Sequence, residues 1–296
     1  MPTIGFIGLG NMGAPMAANL VKSGDRVLGF DVVAAAREAC AQSGLEIAPS
    51  AKASVESADI VITMLPAGEH VRAAWDEVLP SAKRGALFID CSTIDVTSAR
   101  AAHALALERG IGALDAPVSG GVAGAKAATL TFMVGGAAEA FARGKPILER
   151  MGKRVVHCGD AGNGQAAKIC NNMILGASMI AVSEAFVLGE KLGLSHQALF
   201  DVASASSGQC WSLTSYCPVP GPVPASPANN GYKPGFAAAL MLKDLKLARE
   251  AADAVAVKTA IGAHAAEIYE QFAKAGHGAS DFSGIINFVR EASKQG

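Results

Sequence analysis

The sequence has no excess of positive charge: 25 Lys and Arg stand against 26 Asp and Glu in 296 residues, a formal net charge of -1. Without a basic field, nothing draws the chain to nucleic acid or to an anionic membrane surface, so a small-molecule ligand is expected. Cysteine is sparse and unpatterned. Cys40, Cys91, Cys158, Cys170, Cys210 and Cys217 include no C-x-x-C pair, and no His stands at a metal-ligand spacing. They read as free thiols of a reducing compartment, with no metal site. The start of the chain has neither the basic segment and cleavage site of a signal peptide nor an Arg-rich amphipathic stretch, so a cytoplasmic location is expected. A charge-free run of spanning length is missing as well. Residues 173–188 are apolar but carry Gly176, Ser178, Ser183 and Glu184, and read as a buried helix.

What is present is apolar bulk, 51% of the residues, enough for one large core or two modest ones, and two domains are expected. Residues 4–7, 26–30, 59–65, 87–90, 113–118, 130–134 and 155–157 read as strands, several of them continuously apolar as buried parallel strands are. Between them, 12–23, 34–43, 70–78 and 98–109 show helical spacing of apolar residues. This alternation predicts a doubly wound, Rossmann-type α/β domain with a parallel sheet over residues 1–162. After Gly162 the strand signal stops, and 163–296 reads as an all-helical domain. Gly159, Gly162 and Gly164 punctuate the junction, and 165–192 reads as one long helix joining the domains. A cleft between two such halves is a common place for a small ligand. Residues 218–227 hold five prolines and Gly221, so they form a loop, either a stiff surface connection or a lid.

Gly8, Gly10 and Gly13 spell G-x-G-x-x-G, with Leu9, Asn11 and Met12 between them, directly after one predicted strand and opening a predicted helix. Alone the pattern is weak, but here each glycine has a role: Gly8 for the tight turn, Gly10 for approach of a pyrophosphate, Gly13 for close packing of helix on strand. The helix N-terminus then directs unpaired N–H groups at the phosphates. The next strand ends in Asp31, where a carboxylate can accept from ribose hydroxyls, and Val32 and Val33 offer no cation for a 2′-phosphate. NAD is therefore expected as the cofactor. Met64, Leu65 and Pro66 follow one strand and Thr93 another, placed to cover the adenosine half and to reach the nicotinamide; ordinary loop residues are the competing reading.

Further residues are candidates for chemistry. Residues 115–121 place Ser119 beside Gly120 and Gly121, whose bare backbone N–H groups suit a carboxylate, although such a turn is often only a turn. Lys168 and Asn172 are four apart on the predicted long helix and so share a face. Enclosed among Ala166, Ala167, Ile169 and Met173, Lys168 would lose solvation in its charged form and become able to take a proton from an alcohol; a lysine reaching out to solvent is the alternative. Lys243, with Asp244, lies on a later helical stretch and either reaches the cleft or is a solvated surface charge.

These residues together resemble the β-hydroxyacid dehydrogenase family, in its 3-hydroxyisobutyrate dehydrogenase branch, over essentially the whole chain. The glycine turn at 8–13, the stretch 115–121, Gly162-x-Gly164-x-x-x-Lys168-x-x-Asn171-Asn172 and Lys243-Asp244 carry the resemblance in order. It implies an oxidoreductase that passes hydride from 3-hydroxyisobutyrate to NAD, giving methylmalonate semialdehyde in valine breakdown. Lys168 and Asn172 are then catalytic, and Ser119, Gly120 and Gly121 hold the carboxylate. Lys243 lines both the cofactor and the substrate sites, with Asp244 supporting it. Residues 206–212 and Tyr216 resemble the same branch, so Trp211 and Tyr216 are taken to bind substrate, although Gln209-Cys210-Trp211 stands where many relatives have Gly-Asn-Trp. The 6-phosphogluconate dehydrogenases, with a His-Asn-Gly here and a longer helical domain, fit less well. L-Serine, 3-hydroxypropionate and tartronate semialdehyde or glycerate are alternative substrates, and a silent dinucleotide-binding scaffold is an alternative of another class. The resemblance further implies a homodimer or homotetramer.

Overall fold

The structure is a computed structural model and describes residues 1–294. In chain order it holds β1 (Thr3–Ile7), α1 (Gly13–Lys22), β2 (Arg26–Phe30), α2 (Ala34–Gln42), β3 (Glu46–Ile47), α3 (Ala51–Val55), β4 (Ile60–Thr63), α4 (Gly68–Val78), β5 (Leu87–Asp90) and α5 (Val96–Leu107). Then follow β6 (Gly112–Asp115), β7 (Val118–Ser119), α6 (Gly121–Ala127), β8 (Leu130–Gly135), α7 (Ala138–Leu148), β9 (Gly152–Gly159) and α8 (Asn163–Lys191). The remainder is helical: α9 (His196–Ser204), α10 (Trp211–Thr214), α11 (Ala238–Ala254), α12 (Ala260–Phe272) and α13 (Ile285–Ala292). The chain divides into two compact units, Met1–Lys168 and the residues from Ile169 onward, so the division falls inside α8.

In the first unit β3, β2, β1, β4, β5 and β6 pair side by side, all parallel. Successive side chains leave opposite faces of a strand, so each central strand feeds two cores. Phe6, Ile62 and Ile89 enter one with Met16 and Leu20 of α1; Ile7, Val61 and Phe88 enter the other with Val71 and Trp75 of α4. This is the doubly wound arrangement expected, with a correction at its far edge. β8 runs antiparallel to both β6 and β7, and β9 pairs parallel with β8. The expected strand over 113–118 is also broken: Pro117 has no N–H for a ladder, and the chain leaves β6 there and re-enters the sheet as β7.

Four elements had no sequence signal of their own. β3 is two residues paired to β2, and α3 is a single turn capped by Ser50, whose hydroxyl accepts from the Ala53 N–H. α6 begins on Gly121, which reads as a turn, and α7 contains Gly144 and Pro146, which read as breakers. Burial of Ala140, Ile147 and Leu148 in the sheet core outweighs those local preferences in α7.

The second unit packs α8 against α11 and α12. Met179 and Ile180 meet Met241, Leu245, Ala265, Ala266 and Tyr269 in its main core. Gly176 lets α11 come close, since a side chain there would press on Leu245 and Met241. With 29 residues α8 is long and apolar enough to cross a membrane by length and composition, more than the 173–188 run implied, but its Ile169, Met179, Phe186 and Val187 are buried in protein. Residues 218–227 form a loop braced from within: Ser226 donates to the Cys217 carbonyl, Tyr232 to the Pro218 carbonyl, and Asn229 accepts from the Gly221 N–H.

Candidate active site

Because β1, β2, β4, β5 and β6 are parallel, their carboxyl ends share one edge of the sheet, in the register Phe30–Ile7–Thr63–Asp90–Asp115. Open α/β sheets bind ligands at this edge, where the strand order reverses, here between β1 and β4. Gly8 follows β1 with φ +99°, a backbone that L side chains rarely adopt. A Cβ on Gly13 would run into the Gly8 carbonyl, whereas one on Gly10 would meet nothing within 4 Å. An open cradle at Gly10, in front of the first turn of α1, fits a dinucleotide pyrophosphate. Asn11 is exposed beside it and Met12 half-buried. Leu9 is committed elsewhere: its side chain is in the core, and its N–H donates to Asp31 Oδ2 at 2.7 Å. Asp31 also accepts from the Val33 N–H at 2.8 Å through Oδ1, which ties the glycine turn to the end of β2.

Beyond β4 and β5 a polar chain runs inward. Trp75 Nε1 donates to Thr63 Oγ1, Thr63 to Asp90 Oδ1 at 2.8 Å, and Ser92 Oγ to the same oxygen at 2.6 Å. Ser92 Oγ in turn accepts from the Leu65 N–H at 2.8 Å, so the loops carrying Met64, Leu65 and Pro66 and carrying Thr93 are joined. Pro66 is exposed; Met64, Leu65 and Thr93 are half-buried. Asp90 is fully buried, and burial pushes its carboxyl up to about 6 against the hydrogen bonds from Ser92 and Thr63 that hold it down.

Asp115, to which the sequence assigns no role of its own, is buried at the end of β6, where its Oδ1 accepts from the Gly162 N–H at 2.8 Å and its Oδ2 from the Gln165 N–H at 2.9 Å. It thus serves the first turn of α8, whose N–H groups have no partner within the helix. Ser119 closes β7, and Gly120 and Gly121, both at positive φ, turn the chain into α6 with Gly120 exposed. Lys168, in the second turn of α8, is 5% exposed, which excludes the solvent-reaching alternative.

In the second unit, Asn172 is 1% exposed, and its Nδ2 donates to Asp244 Oδ2 at 2.5 Å, which joins α8 to α11. Lys243 is half-buried next to Asp244. Trp211 is 51% exposed and stacks on Tyr216 with ring centroids 4.9 Å apart. Tyr216 donates to Asp281 Oδ2 at 2.9 Å. Burial, and next the Asp281 carboxylate, raise the Tyr216 phenol well above its usual range, so it stays a neutral donor.

Known proteins match this chain along nearly its whole length. Residues 3–159 match the family model described as the NAD binding domain of 6-phosphogluconate dehydrogenase, and residues 162–289 that described as NAD-binding of NADP-dependent 3-hydroxyisobutyrate dehydrogenase. A probable 3-hydroxyisobutyrate dehydrogenase of Mycobacterium tuberculosis is 56% identical over 98% of each chain. The chain belongs to the 3-hydroxyisobutyrate dehydrogenase family. An NAD-dependent L-serine dehydrogenase of Pseudomonas aeruginosa is 48% identical over 96% of each chain. The solved structure of the M. tuberculosis 3-hydroxyisobutyrate dehydrogenase with L-serine superimposes with a TM-score of 0.95, 56% identity, covering 98% of this chain and 99% of that one.

As a member of this family the chain is an NAD-dependent oxidoreductase. Val32 and Val33 offer no cation beside Asp31, but the structure brings one from further along the chain. Arg37, one turn into α2, bonds the Asp31 carbonyl at 2.5 Å and lies 5.7 Å over the Phe30 ring. That guanidinium is engaged with backbone and ring, and the Asp31 carboxylate still faces any 2′-phosphate, so NAD remains the favoured coenzyme. The sequence assigns no site role to Gln165 or Asp90, and it places Ser92 only within the post-strand run Cys91-Ser92-Thr93; Gln165 sits as a spacer inside G-x-G-x-x-x-K.

Proposed function

We propose that the chain oxidises 3-hydroxyisobutyrate to methylmalonate semialdehyde, a step of valine breakdown, with Lys168 as general base. The observation that carries this reading is the burial of Lys168, 5% exposed, one helical turn before the buried Asn172. NAD, when bound, supplies the hydride acceptor. Residues 8–13 and the start of α1 would hold its pyrophosphate and Asp31 its ribose hydroxyls, with Met64, Leu65 and Pro66 against the adenosine half and Thr93 toward the nicotinamide. Ser119, Gly120 and Gly121 hold the substrate carboxylate through a hydroxyl and backbone N–H groups. Lys168 takes the hydroxyl proton as the carbinol C–H bond breaks and the C–O bond becomes a carbonyl, and Asn172 donates to that oxygen. By the same reading Lys243, beside Asp244, would contact cofactor and substrate, and Trp211 and Tyr216 would bind the substrate.

Lys168→Ala tests the central assignment. It should leave NAD affinity unchanged and lower kcat by about 10²–10⁴, the range of general base catalysis; near-normal turnover refutes it. L-Serine is the second reading, supported by the relative named for that activity and by the L-serine in the solved relative. Steady-state rates on 3-hydroxyisobutyrate, 3-hydroxypropionate, L-serine and D-glycerate with both coenzymes separate these substrates. We also propose two domains, 1–162 and 163–296, in a cytoplasmic homodimer or homotetramer. Six free thiols support the reducing compartment, and exposed Ile174, Leu192, Val202 and Ile261 on the helical unit support self-association, which light scattering measures.

A further inference from the structure

Gln165 is fully buried in the first turn of α8, three residues before Lys168. Its two sides are held by different parts of the sheet edge. The backbone N–H is taken by Asp115 Oδ2 at 2.9 Å. The side-chain amide spans the loop that follows β5: Nε2 donates to the Ser92 carbonyl at 2.8 Å, and Oε1 accepts from the Ile94 N–H at 3.1 Å. Between those two anchor points lies Thr93, and Ser92 also holds the Leu65 N–H. One planar amide therefore joins the helix that carries Lys168 to the loop after β5, which Ser92 Oγ in turn ties to the loop after β4. Glycine permits the approach. A Cβ on Gly164 would meet the backbone carbonyl oxygens of Met133 and Asp115, so the helix start sits directly on the strand ends.

We infer that Gln165 is a positioning residue for the oxidation: by clamping α8 to the post-β5 loop it sets where Lys168, about 4.5 Å further along the helix axis, stands relative to Thr93 and the dinucleotide edge. The task needs a donor and an acceptor on one rigid plane. Of the residues close to glutamine in shape, methionine provides neither, and a glutamate provides only acceptors until it is protonated. An ionised carboxylate would face the Ser92 carbonyl oxygen without a hydrogen between them, whereas the protonated acid would restore the missing donor. The inference rests on the reading of Lys168 as the base.

The test compares wild type, Gln165→Met, Gln165→Glu and Lys168→Ala, using whichever of 3-hydroxyisobutyrate and L-serine is turned over. Gln165→Met should lower kcat about 10- to 100-fold, as small misplacements of a catalytic group do, with NAD affinity within about threefold of wild type. Without coenzyme, its Ile94 amide should exchange hydrogen for deuterium faster, because the acceptor is gone. The ratio of Gln165→Glu to wild-type kcat should climb as pH is lowered from about 8 to about 5, whereas the Gln165→Met ratio stays flat. A Gln165→Met enzyme with wild-type kcat overturns the inference, and so does one that melts earlier but turns over normally while folded. A Gln165→Glu ratio indifferent to pH overturns it too. A fully active Lys168→Ala enzyme removes the reading of the base and this inference with it; an inactive Lys168→Ala beside a normal Gln165→Met removes the inference alone.

Discussion

Asp90 sits between Thr63 and Asp115 at the strand ends, fully buried, and its Oδ2 has no hydrogen-bond partner. Desolvation favours the neutral acid, and the nearby Asp115 carboxylate adds to the rise to about 6 from the ordinary 3.8. Between those two values the folded chain binds more protons at Asp90 than the unfolded one. Its contribution to stability is thus complete below about 3.8 and is lost as pH rises through about 6. At pH 7.5 the ionised group costs on the order of 3 kcal/mol relative to a neutral one. Asp90→Asn keeps an oxygen to accept from Thr63 and Ser92 and cannot titrate. Its urea midpoint should match wild type near pH 4 and exceed it increasingly toward pH 7.5; a gap that does not change with pH would mean that Asp90 does not titrate in this range. In the sequence, Asp90 is one more acid at the end of an apolar run. Only the pairing of β5 with β4 and β6 takes water away from it, which is why Thr93 attracted notice there and Asp90 did not.

The element on which the site depends is α8. Its extent was legible in the sequence to within two residues at the start and one at the end, because the apolar periodicity and Gly162 are local signals. Its cap was not legible. The usual search looks for Ser, Thr, Asp or Asn immediately before the helix, but here the cap is Asp115, 47 residues before Gly162, with His103 Nε2 3.2 Å from its Oδ1. Asp115→Ala would leave two buried N–H groups without acceptors and should cost about 2–4 kcal/mol in chemical denaturation. Asp115→Asn, which keeps one acceptor, should cost roughly half of that. An alanine variant as stable as wild type would mean that water or the helix itself replaces the cap. The same element shows what a local reading leaves out: within residues 115–121 the chain leaves β6 at Pro117, and Asp115 holds the start of α8 while Ser119, Gly120 and Gly121 lead into α6.

At the scale of the whole molecule, ligand binding and stability are linked. A coenzyme that binds only the folded chain at a hundred times its Kd should add about 2.7 kcal/mol to unfolding, read as a higher midpoint in calorimetry. NADP at the same concentration should raise the midpoint far less, because its 2′-phosphate would meet the Asp31 carboxylate; equal shifts would show that Arg37 overrides Asp31. The near-neutral charge, the glycine turn, the alternation of strands and helices and the helical second half are properties of short segments, so the sequence by itself determined the fold class, the family and the dinucleotide edge. The antiparallel strand β8, the buried Asp90 and the clamp from Gln165 to Ser92, 73 residues apart, were decided only by tertiary structure. Residue propensities act over a few positions along the chain, whereas these hydrogen bonds exist only once sheet register has brought distant strand ends and the start of α8 within 3 Å of one another.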